Sequence, residues 1–276
     1  MARELDVALE LAIKAGDEVV RIRNAGALGV ELKLGDEPVT IADRLASELI
    51  VAGLTSAFPG DPIISEELPP PPGAFGAERF WLVDPIDGTK DFIRGSDGFS
   101  IMIGLVEHGR PSIGVVHQPT VAGSRRTFYA SPDGAFVRTP DDVCALVVST
   151  VAHAGDARLV ASASHRSPQI DEVKTTLGIA DEQNVGSVGV KLSLIALGVR
   201  DLYVNPWPKT KAWDTCAPEA ILTRAGGRLT DLFGGAVRYA GDNMRHPRGL
   251  VGSNGHIHDE VVARIAPLFE QLRTNA

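Results

Sequence analysis

Trp81-Leu82-Val83-Asp84-Pro85-Ile86-Asp87-Gly88-Thr89-Lys90-Asp91 constrains this chain more than any other stretch. It reads as an apolar strand that stops in two carboxylates, with Gly88-Thr89 opening the next element. Two aspartates at the end of a buried run are a poor choice for stability alone, because close carboxylates repel unless a cation lies between them. The Gly-Thr turn offers backbone N–H groups and a hydroxyl, which suits a phosphate oxygen. A hard metal beside an anion-binding turn is the minimal equipment for hydrolysing a phosphate ester.

The 276 residues are enough for one large domain or two closely packed ones. A net charge of −8 argues against a nucleic-acid polymer or an anionic membrane as partner. It also means that an anionic substrate needs bound metal to invert the local field. Cys144 and Cys216 make no disulfide framework and read as reduced residues. The start Met1-Ala2-Arg3-Glu4-Leu5-Asp6 is too acidic for a signal peptide, and no run is long enough to span a bilayer. These features predict a soluble cytoplasmic protein.

Leu5, Leu9, Ala12, Ile13, Val19 and Val20 recur at helical spacing before a stop at Gly26. A second helix is predicted from Thr40, with Asp43 at the capping-box offset, to Phe58-Pro59-Gly60. Pro62–Ile64 reads as a short strand that delivers Ser65-Glu66-Glu67, and the prolines of 68–73 as a loop. Hairpins are predicted around Glu107-His108-Gly109 and around Ser131-Pro132-Asp133-Gly134. The polar stretch 139–157 marks a boundary between an α+β half, 1–145, and an α/β half, 146–276. In the second half, strands are expected at 158–161, 184–186 and 201–204, with helices at 190–197 and 215–225.

Four separate places put acidic groups at element ends: Asp43, Glu66-Glu67, Asp84/Asp87 and Asp214. Magnesium is commonly held by carboxylates gathered from different segments. Taken singly, Asp43 and Asp214 read as ordinary helix-start residues and Glu66-Glu67 as a solvated pair. Only the Asp84–Thr89 cluster stands out by itself.

Asp84-Pro85-Ile86-Asp87-Gly88-Thr89 resembles the signature of the inositol monophosphatase superfamily of magnesium-dependent, lithium-sensitive phosphatases. Pro38-Val39-Thr40-Ile41-Ala42-Asp43, Ser65-Glu66-Glu67, Trp213-Asp214 and Gly226–Asp231 are similar to its other blocks, in the same order. Within the superfamily, Lys90-Asp91-Phe92, Ser162-Ala163-Ser164-His165 and Gly186-Ser187-Val188-Gly189-Val190-Lys191 are similar to 3′(2′),5′-bisphosphate nucleotidases. Taken alone, His165 also reads as a turn residue and Lys191 as a solvated helix lysine.

The resemblance implies an αβαβα layered sandwich, α+β in its first half and α/β in its second. It implies that Glu66, Asp84, Asp87, Asp214 and the Ile86 carbonyl hold two or three magnesium ions, which ready a water to attack phosphorus directly. Asp43, paired with Thr89, would orient that water and help to take its proton. The phosphate would rest on Gly88 and Thr89. Ser164, His165, Ser187, Lys191 and Arg166 would meet the rest of a bisphosphorylated nucleotide, which is cleaved to AMP and phosphate. The substrate is thus a small phosphorylated molecule, adenosine 3′,5′-bisphosphate or its sulfated relative 3′-phosphoadenosine 5′-phosphosulfate, in sulfur metabolism. Relatives include monomers and homodimers. Alternatives are an inositol or sugar phosphatase on the same fold, and a non-catalytic metal- or phosphate-binding regulator. A haloacid-dehalogenase-type phosphatase fits less well, since its two aspartates are two apart and here they are three apart.

Overall fold

The computed structural model describes residues 2–33, 37–163, 167–239 and 244–274. The chain opens with helix α1 (Ala2–Ala25), a two-strand ribbon of β1 (Glu31–Leu32) and β2 (Pro38–Val39), and helix α2 (Ile41–Ala57). Thr40 caps α2: its hydroxyl accepts from the N–H groups of Ala42 and Asp43, and Asp43 reaches back to the Thr40 N–H.

A seven-stranded sheet follows, in simple sequence order: β3 (Ile63–Ser65), β4 (Arg79–Asp87), β5 (Ser100–Glu107), β6 (Arg110–Val121), β7 (Ser124–Ser131), β8 (Gly134–Arg138) and β9 (Val143–Ala145). Only β3 and β4 run parallel, and the rest is an antiparallel meander. The short helix α3 (Thr89–Ile93) leaves the end of β4. Both predicted hairpins form. The strand β9 was not expected, because its three residues are all exposed and carry no alternation.

The second sheet has the order β11-β10-β12-β14-β13, built from β10 (Leu159–Ser162), β11 (Glu182–Val185), β12 (Leu202–Asn205), β13 (Arg228–Thr230) and β14 (Leu250–Ser253). β10 is parallel to β11 and β12, whereas β14 is antiparallel to β12 and β13. Its helices are α4 (Gln169–Leu177), α5 (Val188–Ala196), α6 (Ala212–Arg224) and α7 (His258–Ile265). The sequence patterns do not reveal α4, α7, β13 and β14; all four are short, and neither helix has a side-chain cap.

Strand alternation sorts the core into layers. Trp81, Val83, Ile101, Ile103 and Leu105 pack with α1 and α2. Phe80, Leu82, Met102 and Val116, from the other face, meet α5, α6 and the inner face of the second sheet through Val160 and Tyr203. Leu159, Ala161, Leu202 and Val204 face outward onto α4 and α7. The result is the expected αβαβα sandwich. In the middle layer α6 lies almost on the backbone of β5 and β6. A Cβ at Gly114 would fall 2.1 Å from the Ala217 carbonyl oxygen, and one at Gly104 2.5 Å from Cys216 Sγ. Glycine at both positions lets the helix that carries Asp214 settle against the sheet that carries Asp84.

Candidate metal-binding active site

The strand β4 does not stop at its first carboxylate; it continues through Asp87 with a bulge. Asp84 pairs with Met102 and Asp87 with Ser100, so three steps on β4 match two on β5. Residues three apart on a regular strand face opposite sides; the extra residue puts Asp84 and Asp87 on the same side as Met102 and Ser100. The Asp84 carboxylate also accepts from the Ile86 N–H at 3.1 Å, which shapes the bulge. Gly88 then turns the chain with φ of +94°, a left-handed conformation that a side chain would strain.

Three carboxylates converge there. Glu66 follows β3, Asp84 lies on β4, and Asp214 is the third residue of α6; each offers an oxygen within 4.8 Å of the others. Burial first, then the charges of Glu66 and Asp87, raise Asp84 and Asp214 well above the usual carboxylate range, and Asp214 adds to the rise at Asp84. Glu67 is lifted to about 7, chiefly by burial and by Glu66. Such a group of hard oxygen donors, short of positive charge, fits magnesium.

Asp87 stands outside that trio among the described residues. Its Oδ2 accepts from the Ser187 hydroxyl at 2.5 Å and from the Gly189 N–H at 2.8 Å, at the start of α5. Burial raises its pKa, while Lys191 and these donors oppose the shift. Ser187, expected to touch substrate, is instead fully buried: it caps α5 and holds Asp87. The loss of its exposure follows from that capping role, which turns its hydroxyl inward.

Asp43 is buried, and its two oxygens have different partners. Oδ2 accepts from the Thr40 N–H at 2.7 Å and the Thr40 hydroxyl at 2.6 Å; Oδ1 faces the Thr89 hydroxyl at 3.2 Å. Burial raises the Asp43 pKa, against the pull of Thr40. The Ile86 carbonyl oxygen lies 3.0 Å from the same Thr89 hydroxyl. Lys191 forms part of the cleft lining that includes Glu66, Asp84, Thr89 and Asp214. It is buried, and its ammonium donates to the carbonyls of Val185 and Gly186 at 3.1 and 2.6 Å. Burial lowers its pKa to about 8 although Asp87 and Asp91 favour the charged form. Ser164, His165 and Arg166 lie outside the described residues.

Two features escaped the sequence reading. Lys33 donates to Glu66 at 3.0 Å and also bridges to Glu67. Burial would lower its pKa, but the two glutamates outweigh that and raise it. The outer cleft is lined by Trp207, Lys209, Lys211 and Trp213. A tryptophan between two prolines in Asn205–Thr210 was the available signal.

The inositol monophosphatase family model matches residues 1–271. The chain belongs to the inositol monophosphatase family. The 3′(2′),5′-bisphosphate nucleotidase CysQ of Escherichia coli (strain K12) is 34% identical over 245 residues, spanning 85% of this chain and 93% of that protein. A histidinol-phosphatase of Mycobacterium tuberculosis (strain ATCC 25618 / H37Rv) is 35% identical over 276 residues, spanning 95% and 97%. Among solved structures, an IMPase of Thermotoga maritima superposes with a TM-score of 0.81 at 28% identity, covering 98% of this chain and 99% of that one. CysQ from Bacteroides thetaiotaomicron gives a TM-score of 0.74 at 27% identity, covering 91% and 97%. The family assignment makes this chain a phosphatase for small phosphorylated substrates, in a family whose members are metal-dependent. Among the described residues, no helix is long and apolar enough to cross a membrane.

Proposed function

We propose that this phosphatase removes the 3′-phosphate of adenosine 3′,5′-bisphosphate, giving AMP and phosphate. The observation that carries the chemistry is the convergence of Glu66, Asp84 and Asp214 beside the Thr89–Asp43 pair. The similarity to the 3′(2′),5′-bisphosphate nucleotidase CysQ of Escherichia coli supports the choice of substrate.

In this reading the half 1–145 supplies Glu66, Asp84, Asp87 and the Ile86 carbonyl, and the half 146–276 supplies Asp214. These groups would hold magnesium, whose positive charge would acidify a water and offset the charge of the phosphate. Asp43 orients the attacking water through its Oδ1 and, with Thr89, accepts a proton from it. Its other oxygen is fixed by Thr40, so the orientation costs little on substrate binding. Gly88 and Thr89 hold the phosphate. Ser187 and Gly189 keep Asp87 from rotating away. Lys191 places positive charge behind the carboxylates.

A second reading has one specific observation in its favour, the 35% identity to the histidinol-phosphatase. Phosphate release with magnesium from adenosine 3′,5′-bisphosphate, histidinol phosphate, inositol 1-phosphate and fructose 1,6-bisphosphate tests both. The nucleotidase reading requires the highest kcat/KM on the adenosine ester. A higher value on histidinol phosphate replaces it.

A further inference from the structure

Trp207 and Lys209 are exposed, Lys211 and Trp213 partly so, and all four line the same cleft as Glu66, Asp84 and Asp214. Trp207 leaves 47% of its surface to solvent, a costly position for the largest apolar side chain unless something covers it. Its backbone is nevertheless held in place. The Asn205 side chain accepts from the Trp207 N–H at 3.0 Å and donates to the Thr210 hydroxyl at 2.7 Å. The His246 N–H fastens the Thr210 carbonyl at 2.8 Å, and Pro206 and Pro208 flank the indole. A surface aromatic on a braced loop is ready to stack without further ordering.

Each indole is accompanied by an ammonium. Lys209 Nζ is 5.4 Å from the Trp207 ring centroid and Lys211 Nζ is 4.7 Å from that of Trp213. Lys209 stands beside Trp207 on the exposed loop, and the Lys211 charge also reaches the Asp214 carboxylate, in a protein with a net charge of −8. Lys191, deeper in the cleft, already donates to two carbonyls. Among the described residues, Lys209 and Lys211 line the outer part of the cleft and can meet a second anionic group on the substrate.

We propose that Trp207, Lys209 and Lys211 form the leaving-group subsite, the indole for a planar base and the two ammoniums for the phosphate that is not cleaved. This rests on the nucleotidase reading and specifies it. Inositol monophosphate would leave all three side chains unused. Histidinol phosphate would bring its own ammonium towards two others, which is repulsive.

The test compares the full-length magnesium-loaded protein with Trp207→Ala and with Lys209→Ala/Lys211→Ala. The substrates are adenosine 3′,5′-bisphosphate, adenosine 3′-monophosphate and β-glycerophosphate. The double lysine variant should lose about 10-fold more kcat/KM on the bisphosphate than on the 3′-monophosphate. Trp207→Ala should lose about 10-fold more on both nucleotides than on β-glycerophosphate. Equal losses on all three esters overturn the proposal. Calorimetric titration with AMP, which keeps the base and the uncleaved phosphate, gives a readout without turnover. Saturable AMP binding that weakens about 10-fold in each variant supports the subsite. Wild-type protein that binds no AMP, or variants that bind it as well as wild type, overturns it. Should the wild type cleave β-glycerophosphate but not the bisphosphate, the nucleotidase reading fails by itself, and the AMP titration still decides the subsite.

Discussion

The Thr89 hydroxyl stands 3.2 Å from Asp43 Oδ1 and 3.0 Å from the Ile86 carbonyl oxygen. One hydroxyl proton thus links the carboxylate read as proton acceptor to a carbonyl read as metal ligand. Because the far oxygen of Asp43 is tied to Thr40, Asp43 has a single oxygen to offer towards the cleft.

Thr89→Val keeps the shape of the side chain and removes that link. Its kcat should fall by about 10²-fold or more, with the magnesium-induced rise in Tm retained. Steady-state phosphate release and thermal melts check this. A kcat within twofold of wild type removes Thr89 from the catalytic machinery.

Asp84 and Asp214 are raised well above ordinary carboxylates by burial and by the charges of Glu66 and Asp87, so protons and a divalent cation compete for the same oxygens. Cation binding must release protons, and it strengthens as pH rises. The Tm increase produced by magnesium should therefore be larger at pH 8 than at pH 5.5, and Asp214→Asn should diminish it. Without cation, Asp214→Asn should melt above wild type at pH 8, since one repelling charge is gone.

Glu219 on α6 is not one of the carboxylate trio and makes a separate pH prediction. It accepts a hydrogen bond from Tyr239, and burial lifts its pKa to about 7 from 4.5. The folded protein then binds this proton more tightly than the unfolded chain. Its stabilising contribution is complete below pH 4.5 and is lost as pH rises through 7, about 3 kcal/mol in all. Glu219→Gln has no such proton to lose. Its urea midpoint, relative to wild type, should climb between pH 5 and pH 8, and a difference independent of pH would contradict the assignment.

Gly114→Ala would press a methyl group into the Ala217 carbonyl, 2.1 Å from the ideal Cβ. Overpacking of this kind costs about 1–3 kcal/mol or more. Because α6 also carries Asp214, the variant should lose magnesium affinity along with stability. Urea denaturation and a magnesium titration of the melting temperature report the two effects separately.

Much of the fold was legible because the first half carries strong local signals. The Thr40–Asp43 capping box, the helical period of α1 and the alternating hairpin strands each have one dominant physical reading. The short elements α4, β13 and β14 owe their form to packing between layers and have weak patterns of their own. At the site, Asp43 and Asp214 do sit at helix starts, and that role leaves each an oxygen for the proposed chemistry. Each uses one oxygen to close the start of its helix, on the N–H of Thr40 and of Lys211. The bulge that brings Asp84 and Asp87 to one face was hidden, since a strand's register depends on its partner. The inward turn of Ser187 and the Lys33 bridge to Glu66 and Glu67 arise from contacts distant in sequence.

The most direct measurement is phosphate release from adenosine 3′,5′-bisphosphate by chelator-stripped protein, titrated with magnesium, for wild type and Asp84→Asn. Metal-dependent catalysis at the Glu66–Asp84–Asp214 trio predicts no turnover in excess EDTA, saturable recovery with magnesium in the wild type, and loss of that recovery in Asp84→Asn. Turnover that persists in EDTA, or a variant that recovers as fully as wild type, contradicts it.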